Sequence, residues 1–144
     1  MNNIMSTSPA YIQYHAIAKH WASDIDFFKI EMVFLHHLLD DHFILLSGPA
    51  YIADLKAVGK KFLQLEKDKY SADTDLTDYI KVLEWQTENL VDGHGELLAI
   101  KQKQKQMEHS MFHLTSTYRK LKQELFSLVI SLIQDRKRQG LPKA

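Results

Sequence analysis

Apolar side chains recur along this chain in alternating steps of three and four, the spacing that lines one face of an α-helix. The most regular run reads Leu97, Ile100, Gln104, Met107, Met111, Leu114, Tyr118, Leu121, Leu125, Leu128 and Leu132, a heptad seam with one polar interruption. A helix over about 96–138 would be ~65 Å long at 1.5 Å per residue, far beyond the usual globular helix, so it needs long partners to cover its seam.

Two earlier stretches supply them. Ser8-Pro9 has the form of an N-cap followed by proline at the first helical position, which predicts a helix from about 9 to 46. Its seam is Tyr11, Tyr14, Ala18, Trp21, Ile25, Phe28, Met32, Leu35, Leu39, His42 and Leu46. Ser47-Gly48-Pro49 ends it, with glycine free to take the left-handed conformation after the last turn. A second helix over about 50–91 carries Ile52 or Leu55, Val58, Phe62, Leu65, Lys69, Ala72, Leu76, Tyr79, Leu83, Gln86 and Leu90. Its middle, Ser71-Ala72-Asp73-Thr74-Asp75, is rich in side chains that compete with the backbone, yet the seam keeps its phase across it. Asp92-Gly93-His94-Gly95 makes the next turn, and Gly140-Leu141-Pro142 the final stop.

Three helices of similar length predict an all-α fold, an elongated antiparallel three-helix bundle with coiled-coil-like seams, in one domain spanning 1–144. The alternative is a four-helix bundle, if the second helix breaks near 71–75. In the three-helix arrangement a residue of the third helix lies level with one about 91 positions earlier on the first.

Composition removes function classes. Lys plus Arg and Asp plus Glu are 18 each, so no global field draws the chain to nucleic acid or an anionic surface. Cysteine is absent, which excludes disulfides, thiolate nucleophiles and sulfur-ligated metals, and fits a cytoplasmic protein. The opening MNNIMSTSPA lacks the charged and apolar regions of a signal peptide, and no apolar run approaches the eighteen residues of a membrane span. The glycines match no phosphate loop, and no Gly-x-Ser-x-Gly elbow occurs. A non-enzymatic protein without cofactor or small-molecule substrate is expected. The basic clusters Arg119-Lys120-Lys122 and Arg136-Lys137-Arg138 read as helix-surface charge, the second complementing the helix dipole. The polar run 101–106, KQKQKQ, reads as a solvated helix segment.

Histidine is the one enriched chemical group, with eight copies. His109 and His113 have the spacing of two ligands on one helical face, and the 91-residue offset puts them near His20 and Asp24. That set is the metal-binding alternative. Against it, these histidines fall on outer heptad positions, whereas bundle metal sites face inward, and no histidine follows a glutamate by three. His42 lies on the seam and reads as a satisfied residue at the edge of the core. His36-His37-Leu38-Leu39-Asp40-Asp41-His42 is a candidate pH-responsive cluster.

The apolar surplus is more informative. Phe27, Ile30 and Phe34 form a second stripe outside the first seam, while Phe126, Val129, Ile130 and Ile133 widen the third. Aligned by the offset, they predict one patch at Phe27, Ile30, Phe34, Phe126, Ile130 and Ile133, covered by a second copy in an isologous homodimer or by another protein for which this chain is an adaptor. A contrasting expectation has the second helix bending near 71–75 to cover the patch within one chain.

Trp21-Ala22-Ser23-Asp24-Ile25-Asp26-Phe27-Phe28-Lys29-Ile30-Glu31-Met32-Val33-Phe34-Leu35-His36-His37-Leu38-Leu39 resembles the first helix of small bacterial all-helical proteins of uncharacterised activity. The resemblance covers roughly an eighth of the chain. It implies a helical bundle, and no cofactor or catalytic residue.

Overall fold

The computed structural model describes residues 2–89 and 94–140, with side chains described over 10–88 and 97–140. These residues form an all-α three-helix bundle of α1 (Asn2–Leu46), α2 (Ile52–Asn89) and α3 (His94–Arg138). Two helix starts differ from expectation by a turn or less. α3 begins at His94 rather than 96, and α2 at Ile52 rather than 50. α1 begins at Asn2, so Pro9 lies inside the helix rather than at its first position. Leu90, Asp92, Gly93, Leu141 and Pro142, on which other expectations fell, lie outside the described residues.

The turn after α1 is made differently from the way its sequence suggested. Gly48 is not left-handed; among the described residues the left-handed glycine is Gly140, at φ 70°. At the end of α1 the ladder tightens, with the Gly48 N–H donating to the Leu45 carbonyl at 3.3 Å. The Gly48 carbonyl then accepts from Tyr51 and Ile52, so one residue closes one helix and opens the next. Gly140 is the terminator of the kind expected at Gly48: its N–H reaches the Lys137 carbonyl at 3.2 Å.

α2 runs unbroken through 71–75, which excludes the four-helix alternative and the bend that was to cover the patch. Ala72 and Leu76 are buried on either side of the polar segment. Asp73 keeps its carbonyl in helical geometry while accepting the Thr77 hydroxyl at 2.8 Å. Burial of the flanking apolar pair outweighs the weak preference of short polar side chains for caps.

Contacts group the chain into two compact units, Met1–Phe27 with Asp68–Leu114, and Phe28–Lys67 with Thr115–Ala144. Each takes a segment from all three helices. In the first, the Tyr79 hydroxyl donates to Gln104 Oε1 at 2.5 Å and His113 lies 3.6 Å from Asp68, so α2 and α3 are antiparallel there. In the second, Lys61 bonds Glu124 at 2.7 Å and the Tyr51 hydroxyl donates to Asp135, which is again antiparallel. There Lys122 meets Glu31 at 3.2 Å across a separation of 91 residues, the expected α1/α3 offset. The Phe28 and Tyr118 rings pack with centroids 5.0 Å apart just before that pair.

The seam positions form the core. Ile25, Leu35, Leu46, Leu83 and Leu125 are wholly inaccessible, and every described seam residue is buried or half-buried. Gln86 and Gln104 are the buried polar residues among those described. Gln104 is satisfied by Tyr79, while the Gln86 side-chain oxygen has no hydrogen-bond partner among the described residues.

Gly59 sits inside α2 with nothing within 4 Å of where a Cβ would stand. Gly59→Ala should therefore stabilise the protein by about 1 kcal/mol, the helix-propensity difference, without a clash. Urea unfolding of the two proteins measures it, and an unchanged or lowered midpoint at equal slope would contradict open space there.

Candidate functional site

Among the described residues, His15, His36 and His113 reach carboxylates of α2. His113 turns to Asp68 of α2, while His20 lies 3.8 Å from Asp24 one turn along its own helix. His109 and His113 are both exposed. Among the described residues no three His, Asp or Glu side chains converge as metal ligands. His113 sits on the α2-facing flank of α3, which is why the shared height with His20 does not bring these two together. His15 reaches Glu84 at 3.4 Å and His36 reaches Glu66, again on α2. The His36 ring also packs on Phe62 with centroids 4.4 Å apart. Half-buried His42 donates its Nδ1–H to the Leu38 carbonyl at 2.9 Å, the satisfied state expected for a residue at the edge of the core.

In the first of the two basic clusters, Arg119 and Lys120 are exposed and Lys122 is half-buried. Arg136, Lys137 and Arg138 fill the last turn of α3, where positive charge faces the negative end of the helix dipole. Arg138 also bonds Asp135. Lys122 joins Glu31 while its ammonium lies 5.9 Å from the Tyr118 ring centre and 5.6 Å from that of Phe126. Burial first, and then the adjacent Glu31 carboxylate, push the Tyr118 hydroxyl above the ordinary phenol range. Burial does the same to Tyr79.

The apolar surplus divides. On α1 in the second unit, Ile30 is 70% exposed, and Val33 and Phe34 are more than half exposed. Phe27, in the first unit, is also exposed. Of the apolar surplus on α3, Ile130 is open to this degree, whereas Phe126 and Ile133 are half-buried and Val129 is buried. The α3 part of the expected patch is thus narrower than expected, because Phe126 and Ile133 are half-buried; Val129 beside them joins the core as a further seam residue. Position on the helix relates the remainder. Glu31 points to α3 through Lys122, and Phe34 is one turn further along that side. Phe126 lies under Lys122, with Ile130 one turn beyond it. Phe34, Phe126 and Ile130 therefore border the outside of the α1/α3 seam, with Ile30 and Val33 forming the outer ridge of α1. Ile44, 85% exposed, continues this face toward the end of α1, while Phe43, also exposed, lies on another side of the helix. The apolar run 43–46 was their only sequence signal.

A second surface feature had no counterpart in the sequence reading. In the same unit, α2 and α3 are separated on their outer side by a groove of about 560 Å³. Buried Val58 and Leu128 form its floor, and exposed Ala57, Ser127 and Ser131 its low walls. The Lys61–Glu124 pair crosses it from α2 to α3, and the Tyr51–Asp135 hydrogen bond closes one end. Asp135, accepting a hydrogen bond from the Tyr51 hydroxyl, raises the pKa of that group. Small residues at matching heights of two antiparallel helices were the signal that could have revealed the groove.

No protein-family model matches the chain, and no curated protein or solved structure matches it. Among the described residues no helix is long and apolar enough to cross a membrane.

Proposed function

We propose that this chain is a non-enzymatic helical interaction module of the cytoplasm that associates with copies of itself. The observation that carries this reading is the ridge of Ile30, Val33 and Phe34, contiguous on the outer side of α1 and mostly open to water. Burying a large apolar side chain is worth about 1.5–3 kcal/mol, so covering the ridge supplies a driving force that monomeric surfaces rarely leave unused. A formal net charge of zero removes the long-range repulsion that keeps identical molecules apart.

Phe34→Glu tests the reading by sedimentation velocity at tens of micromolar. The wild type should sediment as an assembly and the variant as a folded monomer, since a half-exposed position tolerates glutamate without unfolding. A wild type that is monomeric at these concentrations would refute self-association.

A further inference from the structure

We propose that α3 has a second, minor register against its neighbours, one heptad away, and that Gln104 is the contact that chooses between the two. The inference stands apart from self-association and concerns a single chain. A seam that repeats every seven residues packs in the same way after a slide of seven, because one apolar side chain takes the place of another along it. The apolar positions therefore fix which face of α3 is buried, and the polar groups among them fix its register. Gln104 interrupts the apolar seam of α3, and it meets Tyr79 of α2, whose hydroxyl donates to its Oε1 at 2.5 Å.

Gln86 follows Tyr79 by one heptad on the same seam, so a slide of α3 by one heptad brings Gln104 level with Gln86 and Met111 level with Tyr79. Gln86 is 6% exposed, and its side-chain oxygen has no hydrogen-bond partner among the described residues. A buried acceptor left unpaired is costly, and the amide N–H of Gln104 is the donor that the second register brings to it. Each register satisfies one group and orphans another: the present one pairs Tyr79 and leaves Gln86, the second pairs Gln86 and leaves Tyr79. Other contacts make the present register the major one. Lys61 with Glu124, Tyr51 with Asp135 and Lys122 with Glu31 all hold α3 in it, and all are lost on sliding. The slide needs no longer chain, because it moves the middle of the α2/α3 turn by half a heptad toward Gly95, a residue type suited to a turn. Packed helices that ratchet between two discrete positions are an established form of conformational change.

The chain has no cysteine, so introduced pairs report the register. His113 lies 3.6 Å from Asp68 in the present register and would lie level with Asp75 in the second, ~10 Å further along α2 at 1.5 Å per residue. Asp68→Cys with His113→Cys therefore marks the first register, and Asp75→Cys with His113→Cys the second. Trapping with a bismaleimide shorter than that shift, at sub-micromolar full-length protein and read by mass, should link the first pair rapidly and the second slowly. Tyr79→Phe removes the partner that holds Gln104 in place, so it should speed linking of the second pair by roughly two- to tenfold, the factor that one hydrogen bond is worth. Gln86→Leu alone should slow that pair below the wild-type rate, and added to Tyr79→Phe it should cancel the acceleration. Circular dichroism checks that each variant folds, and Gln86→Leu, which replaces a buried polar group by an apolar one, decides the matter should Tyr79→Phe misfold. A second pair that never links, that links at the same rate with and without Gln86→Leu, or whose acceleration by Tyr79→Phe survives Gln86→Leu and so reports general loosening, would overturn the second register.

Discussion

Replacing Leu35 by alanine should destabilise the protein by about 3–5 kcal/mol, whereas Ile30→Ala, a turn earlier on the same helix, should cost less than about 1 kcal/mol. Leu35 is fully inaccessible, so truncation loses its transfer free energy and leaves a cavity in a packed interior. Ile30 is 70% exposed, and its truncation removes little surface that folding had buried. Urea unfolding at sub-micromolar protein, where assembly contributes least, makes the comparison. Domains of this kind are stable by only about 5–15 kcal/mol, so Leu35→Ala takes a large fraction of the total. Similar losses at both positions would mean that Ile30 is buried and that the ridge does not exist.

Thr74→Pro is the second large effect, expected at about 3 kcal/mol or more. Thr74 is exposed and lies in the stretch of α2 where the residues best suited to a turn are concentrated. In a continuous helix, proline removes one rung of the ladder and its ring collides with the carbonyl one turn back. Were α2 interrupted here, the same proline would sit in a turn and be nearly neutral. Thermal unfolding followed by circular dichroism distinguishes the two, and a melting temperature close to that of the wild type would show that the helix does not pass through Thr74.

The helices and their core were legible because burial in a bundle depends on period alone. Leu97, Ile100, Gln104 and the rest of that series could be written down without knowing what they touch, and Gln104 kept its buried place by bonding Tyr79. Even the α1/α3 register followed from counting through two turns, as Glu31 and Lys122 show. The histidines were less legible because heptad position says inward or outward but not which neighbour a flanking residue meets. His113 was aligned by height with His20, yet its flank of α3 faces Asp68 of α2. Val129 illustrates the same limit from the apolar side. It lies beside the strict seam, and only the actual approach of neighbouring helices decides that it is buried while Ile130 is not. The groove escaped notice for a different reason: Ala57, Ser127 and Ser131 matter through the volume they do not fill, and hydropathy carries no mark of that.

The 91-residue register has a bearing on how this chain can change in length. One residue deleted inside α2 rotates every later position of that helix by about 100° about its axis, turning Leu76 and Leu83 away from the interior together. The same deletion would draw Lys122 out of step with Glu31 unless the turns absorbed it. Viable length variants of this protein should therefore carry their insertions around Gly48, or add whole heptads to all three helices at once, and descendants differing by one or two residues within a helix should be rare.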